Sequence, residues 1–507
     1  MRASGPQPIY PILLAAYFVL FLLSQNLTEV TLVEVLPVVA VAVIVAALAT
    51  IVSGLAFRNA RRGAVIIGAI VVVFFGYGHV AELARPLSGT IQQVGWLAFL
   101  AVAVIVALRG GRRLVRLTSA LNVIAGVLVL ATLVTIVPHE LGRTAAGLET
   151  TPIAITGNGV AAPKRDIYYL IFDRYAATDE MKKHYGIDNP LNAWLESRGF
   201  YVATDSHANY VKTQLSIASS LNMTHLDELA ARMGPDSDDE GPIFEMFHAH
   251  ALARFVKAQG YRYVQVGSRY QPTNANPYAD ENPQPGGFSD FTAAIVDTSA
   301  IPALARRLGL TKATPARERY YDSARFQWRI LDQQVDRPGP KLVFCHFLLP
   351  HPPYVFAADG SFVAKEDDPN DMAREYAGMV AYANSQIERL VDKLLALPEE
   401  RRPIIVLQAD EGPYPARYNV HSFSFDWSTA TGDELRLKYG ILNAYYLPGL
   451  QGDTGLYKSI TPVNSFRLIL SRYFGANLPL LPDRIYTSKA KTRPYVLTDV
   501  TDRIAQP

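Results

Sequence analysis

Cysteine is almost missing from this chain of 507 residues: Cys345 stands alone. That excludes an intramolecular disulfide framework and any four-cysteine zinc site, and leaves the redox compartment open. Net charge is scarce as well, with 48 basic residues against 46 acidic ones and a formal balance of +2. No global electrostatic case for nucleic-acid binding follows. The scarcity is uneven. Residues 1–139 hold nine Arg, no Lys, no Asp and only three Glu, which leaves 39 of the basic and 43 of the acidic residues to the rest. The two parts are suited to different solvents. Disorder is excluded by 50% hydrophobic and 19% charged residues, and the length exceeds one compact core, so at least two units are expected.

What the first part has in abundance is apolar sequence. Runs over roughly 9–25, 35–57, 64–83, 89–108 and 114–137 each approach the 20 or so residues that cross a bilayer, and none carries a central charge. Arg2 ahead of the first run suits a secretory signal, but no small-residue cleavage site follows, so the run is read as a retained span. If the spans alternate, Arg2, Arg58, Arg61, Arg62, Arg109, Arg112, Arg113 and Arg116 fall on one side. Only Arg85 falls on the other, together with Glu29, Glu34 and Glu82. Basic residues of short loops stay cytoplasmic, so the amino terminus is expected inside and everything after Val137 outside. The spans lack the intramembrane acid pairs or broken helices of a transport path and read as an anchor.

Residues 138–165 are rich in Gly, Thr, Ala and Pro without periodicity, and read as a linker. From Asp166 short apolar runs alternate with helical patterns: DIYYLIFD (166–173), YRYVQVGS (261–268), KLVFCHFLL (341–349), PIIVLQAD (403–410) and YGILNAYYL (439–447). Amphipathic stretches such as 244–259 and 372–397 lie between them. The pattern predicts an α/β domain over 166–490 with a mainly parallel sheet covered on both faces, followed by a tail, 491–507.

Ligands of such sheets bind beyond the carboxyl ends of the strands. The first strand ends in Asp173 and Arg174, the third in HFLLPHPPY (346–354), and the fourth in Gln408, Asp410 and Glu411. Each Asp taken singly suits a turn or a helix cap, so the coincidence is the signal. Thr213, in NYVKTQLSIASSLNM, stands at or near a helix start, where free amides favour an anion and where Thr is also an ordinary cap. A hydroxyl becomes a nucleophile when a metal or base lowers its pKa, and Asp173, Asp410 and Glu411 form an all-oxygen set suited to Mn²⁺ or Mg²⁺ rather than Zn²⁺. Ser216 is the fallback nucleophile. Lys212 and Arg174 offer charge to an anionic substrate, and His421 could reach a metal, although a surface cation and a solvated histidine are the ordinary readings.

These residues resemble the alkaline phosphatase superfamily, in its sulfatase-like branch with lipoteichoic acid synthases and phosphoethanolamine transferases. The resemblance covers about 166–490 and extends to the five spans ahead of the domain. It implies that Asp173 in YYLIFDRY and Asp410 in QADEGPYP bind a divalent metal, and that Thr213 is both metal ligand and nucleophile. It further implies that His346 and His351 serve the substrate site, and that the reaction passes through a phospho-threonine whose leaving oxygen is protonated by His351 or His346. The stretch TPVNSFRLILSRYFG (461–475) also resembles the branch's carboxyl end. Two departures stand out: Glu411 occupies the place of an expected histidine ligand, and the formylglycine motif is absent, which argues against a formylglycine sulfatase. The implied function is a membrane-anchored hydrolase or transferase of phosphate esters, acting on lipid head groups or an envelope glycopolymer outside the cytoplasmic membrane. A non-catalytic relative that binds a glycan or a partner protein is the alternative, and oligomeric state is left open.

Overall fold

The computed structural model describes residues 5–27, 30, 32–83, 89–145, 164–286, 290–310, 315–368, 370–421, 425–450, 452–488 and 493–505. The chain divides into two compact units, one of residues 1–147 with 288–316, the other of 148–287 with 317–507.

Five apolar helices begin the first unit: α1 (Tyr10–Ser24), α2 (Leu32–Ala56), α3 (Ala60–Leu83), α4 (Gly89–Arg109) and α5 (Arg113–Ala145). Four of them, α2 to α5, are long and apolar enough to cross a membrane. The first, at 15 residues, is shorter than the roughly 20 that span hydrocarbon, so the expected count of five spans does not follow from length alone. Exposed valines, leucines and isoleucines cover the outward faces of α2, α4 and α5, as in Val41, Val45 and Leu48 of α2. Helix α5 runs on through Pro138 to Ala145, inside the stretch read as linker. The same unit takes in the helices Asp290–Thr298 and Ile301–Arg307, which the sequence placed within the later domain.

The second unit is built on a six-stranded sheet: β1 (Ile167–Phe172), β2 (Tyr201–Val202), β3 (Arg262–Val266), β4 (Lys341–Phe347), β5 (Ile404–Ala409) and β6 (Asn443–Tyr446), in spatial order β2-β6-β5-β1-β4-β3. The consecutive strands β5, β1, β4 and β3 are parallel, while β6 pairs antiparallel with β5 and β2 antiparallel with β6 at the other edge. Every residue of β1, β4 and β5 is buried, because helices cover both faces; this is why the sequence shows unbroken apolar runs there. On one face Tyr168, Leu170 and Phe172 pack with Trp328, Met379 and Ile387. On the other Ile167, Tyr169 and Ile171 pack with Leu215, Ile217 and Phe466. A separate two-stranded ribbon, Tyr486–Ser488 with Leu497–Asp499, takes in part of the stretch read as a tail.

Candidate active site

Strand register assembles the site. Ile171 of β1 lies level with His346 of β4 and Gln408 of β5. Side chains alternate along a strand, so Asp173 and Asp410, two residues beyond Ile171 and Gln408, project from the same face as His346, one row above it. The backbone N–H of Asp173 continues the ladder by donating to the Phe347 carbonyl at 2.9 Å. Asp173, His346 and Asp410 thus place one ligand atom each within 4.8 Å of one another, a buried group able to hold a metal ion.

The helix α6 (Thr213–Asn222) lies on this face. Two hydroxyls fasten it: Ser216 donates to the Asp410 carbonyl at 2.6 Å, and Tyr169, which donates to Gln408 Oε1 at 2.6 Å, hydrogen-bonds Ser220 Oγ at 3.1 Å. Thr213 is the first helical residue after Lys212, whose extended backbone starts the turn, and its hydroxyl hydrogen-bonds the Asp410 carboxyl. Ser216 is buried with its proton committed to a carbonyl, so its role in the site is that of a fastener.

Both histidines present Nε2 to the carboxylates, at 4.0 Å from Asp410 for His346 and 4.0 Å from Asp173 for His351. Thr273 Oγ1 lies 3.0 Å from Nδ1 of His346, and its hydroxyl has Ser268 and the Tyr270 carbonyl as acceptors. Nδ1–H therefore donates, and the Nε2 lone pair is left for a cation. The same logic holds for His351, whose Nδ1 bonds the Pro352 carbonyl. Burial lowers His346 to about 3, and burial followed by the Arg174 charge holds His351 well below its ordinary range, so both rings are neutral at pH 7.

Glu411 is engaged differently from the ligand the sequence predicts. Its Oε1 accepts the Lys438 ammonium at 2.7 Å, with Arg174 Nε at 3.7 Å. Lys438, at the end of the helix α7 (Gly432–Tyr439), is fully buried and sits 3.4 Å from the Tyr414 ring centre; Arg174 lies over the same ring at 4.3 Å. Arg174 holds a left-handed backbone, φ 64°, a conformation costly for a side chain with a Cβ and concentrated at functional turns. Tyr376 supports that turn by donating to the Arg174 carbonyl and accepting from the Ala176 N–H. Lys212 points to Glu240 at 3.7 Å, an acid that Gln214 also contacts. The helix Ala416–His421 is described, but the His421 side chain lies outside the described residues.

Four buried acceptor atoms here have no hydrogen-bond partner, Asp173 Oδ1, His346 Nε2, Asp410 Oδ2 and Glu411 Oε2, and neither has the Arg174 Nε donor. Such orphans are costly, and a cation held by Asp173, His346 and Asp410 would satisfy those of the three ligand residues. Their chemistry fits a divalent metal held by Asp173, Asp410 and His346, with Thr213 and the free Glu411 oxygen beside them. Of the residues named from the sequence, the fold brings the two aspartates, Thr213 and both histidines together. Lys438, Thr273 and Tyr414 join them without any spacing signal in the sequence.

The crowding has a pH signature. Asp410 is pushed up to about 7 by burial and then by Glu411. A raised carboxyl favours the fold fully below its unfolded value, and that contribution is lost as pH rises through the folded one. A cation relieves the same repulsion and competes with the proton. Divalent-metal affinity of the full chain, measured calorimetrically, should therefore rise by up to about tenfold per unit as pH climbs towards 7, then level off.

Among curated proteins none matches the sequence. Solved structures do: the C-terminal periplasmic domain of EcEptC from Escherichia coli aligns at 12% identity and a TM-score of 0.44, covering 68% of this chain and 95% of that one. The integral membrane protein lipooligosaccharide phosphoethanolamine transferase A from Neisseria meningitidis aligns at 12% identity and 0.44, covering 92% and 94%. A putative sulfatase from Bacteroides thetaiotaomicron aligns at 10% identity and 0.38, covering 62% and 72%. A family model described as sulfatase matches residues 184–449, which include Thr213, His346, His351, Asp410 and Glu411. That match spans just over half of the sequence, and on it the chain belongs to the sulfatase family.

Proposed function

We propose that this protein is a membrane-anchored, metal-dependent hydrolase or transferase of phosphate esters, with α1 completing five spans and the α/β domain, about 166–490, outside the cytoplasm. The observation that carries the reading is the set of four orphaned buried atoms gathered beside a threonine hydroxyl at a helix start. A bound divalent ion would supply Lewis-acid stabilisation of negative charge.

The chain's own groups carry the remaining steps. Thr213 Oγ1, hydrogen-bonded to Asp410, attacks phosphorus and yields its proton to that carboxylate. The free N–H groups of α6's first turn and the Arg174 guanidinium balance charge on the phosphoryl oxygens. A phospho-threonine results, discharged by water in a hydrolase or by an acceptor hydroxyl in a transferase. His351 is neutral in the resting site; the charge of a bound phosphoryl group restores a proton at Nε2, which then goes to the leaving oxygen. His346 carries the alternative proton or acts as a nitrogen ligand. Lys212 stands at the entrance to α6 as a second cation for the substrate. Its class is a lipid head group or an envelope glycopolymer, reached from the membrane in which the protein is anchored.

The carboxylates favour Mn²⁺ or Mg²⁺, while the His346 nitrogen brings Zn²⁺ closer than an all-oxygen set would. Elemental analysis of the full chain in nanodiscs, with and without Mn²⁺, is expected to find about one ion per chain, absent in Asp410→Ala. Chains that stay metal-free under every loading would favour the non-catalytic reading, for which the Lys438 ammonium against Glu411 is the specific observation. His346→Gln should lose the ion, and Thr273→Val should weaken its binding about 10- to 100-fold by freeing the ring.

A further inference from the structure

Residues 290–310 interrupt the α/β domain in sequence yet pack with the apolar helices of the first unit. Phe291 and Ile295 are buried among Val19, Leu23 and Ile136. The turn that follows meets α3 at Gly78, where an added Cβ would stand 2.6 Å from the Thr298 carbonyl oxygen and 2.8 Å from its Cα. Only a glycine admits so close a backbone. The Ala300 N–H donates to the Phe74 carbonyl at 2.9 Å. Phe74 lies seven residues inside the span Ala60–Ala81, which is roughly 10 Å of helix rise, so this turn sits at the depth of hydrocarbon.

Backbone at that depth must be satisfied by protein. It is. Ser299 N–H reaches the Val296 carbonyl, Ile301 N–H reaches Ser299 Oγ at 3.1 Å, and the Thr298 hydroxyl reaches the Ala294 carbonyl at 2.8 Å. Pro302 has no donor to place. Beyond the turn, Ile301, Leu304 and Leu308 recur at helical spacing and are 42%, 57% and 63% exposed, with Leu310 at 75%. Arg307 then meets Gln93 near the start of α4 at 3.0 Å, the level where a long cation returns to the interface.

We propose that residues 290–310 are a re-entrant hairpin of the membrane unit, whose exposed leucines take lipid acyl chains in the leaflet at the carboxyl end of α3. The apolar surface is continuous with that of the spans, and the Ser299, Ala300 and Ile301 donors of the turn are closed within the protein, as a water-free setting requires. The inference rests on the membrane reading of α2 to α5.

Cys345 is fully buried, so single cysteines can be labelled at chosen sites. Bimane placed at Leu304→Cys, Leu308→Cys and Leu310→Cys in the full chain would be reconstituted in phosphatidylcholine vesicles with and without doxyl-labelled lipid. Val45→Cys on α2 and Asp453→Cys on the α/β domain serve as controls. Quenching at the hairpin comparable to that at Val45→Cys, reduced by adding Gly78→Leu, is the expected result. Hairpin labels no more quenched than Asp453→Cys, with Val45→Cys quenched, overturn the proposal alone. Loss of quenching at Val45→Cys as well overturns the membrane reading beneath it. Hairpin labels shielded from lipid only in cross-linked dimers would assign the leucines to a second copy and overturn the lipid assignment.

Discussion

Thr213→Ala is expected to lower phosphate-ester turnover by about 10⁴-fold or more, as loss of the group that forms a covalent intermediate does elsewhere. The fold should survive, because the helix start does not depend on this side chain: Lys212 supplies the extended cap residue, and Ser216 and Ser220 fasten α6 to the sheet. Unchanged circular dichroism and metal content within a few-fold of the parent would locate the loss in chemistry. Thr213→Ser should keep a measurable fraction of the activity by preserving the oxygen. Mass spectrometry of substrate-treated parent chain should find an added phosphoryl group on the peptide bearing Thr213, absent from the alanine variant. Full activity in Thr213→Ala would refute the mechanism, whatever the metal does.

Lys438→Met is expected to carry the largest stability cost of any single change near the site. Lys438 and Glu411 are both buried and 2.7 Å apart. Removing one partner of such a pair strands the other charge, a loss of about 3–5 kcal/mol. The lower end applies here, because Arg174 remains 3.7 Å from Glu411. The double variant Lys438→Met/Glu411→Met should recover most of that loss or exceed the parent, since burial of the pair is itself expensive. The lowering of Lys438 to about 8, caused first by burial, expresses the same cost. Denaturant midpoints of metal-free protein for the parent, both singles and the double would give the coupling directly. Equal losses in the single and the double would mean that packing over Tyr414, not charge, holds this corner.

Unbroken apolar runs made the central strands legible, and the polar residue ending each run made the two aspartates legible. Thr213 was visible because a helix start is a local event. What escaped the sequence depends on distant chain segments meeting. His346, read as a substrate-site histidine, joins the carboxylates because β4 pairs with β1 in one register, and a shift of one residue would turn it to the opposite face. Glu411 reads as a ligand by position, yet Lys438, brought in by another helix, claims one of its oxygens. Strand β6 runs antiparallel between β5 and β2, which its apolar run does not reveal. Residues 290–307 were assigned to the α/β domain by sequence order, although their apolar face is matched to the spans.

The place of β1 has a consequence for how the molecule is made. It is the first strand to be synthesised, but both its neighbours come later: Ile167 waits for Leu342 on one side and Ile404 on the other. At 5–20 residues per second, the first of these arrives roughly ten to thirty seconds after β1. Throughout that interval an entirely apolar strand presents two unpaired edges, a setting for premature association. The nascent chain thus depends on shielding of β1 until β4 emerges, and slowed synthesis between them should raise the yield of aggregates rather than of native protein.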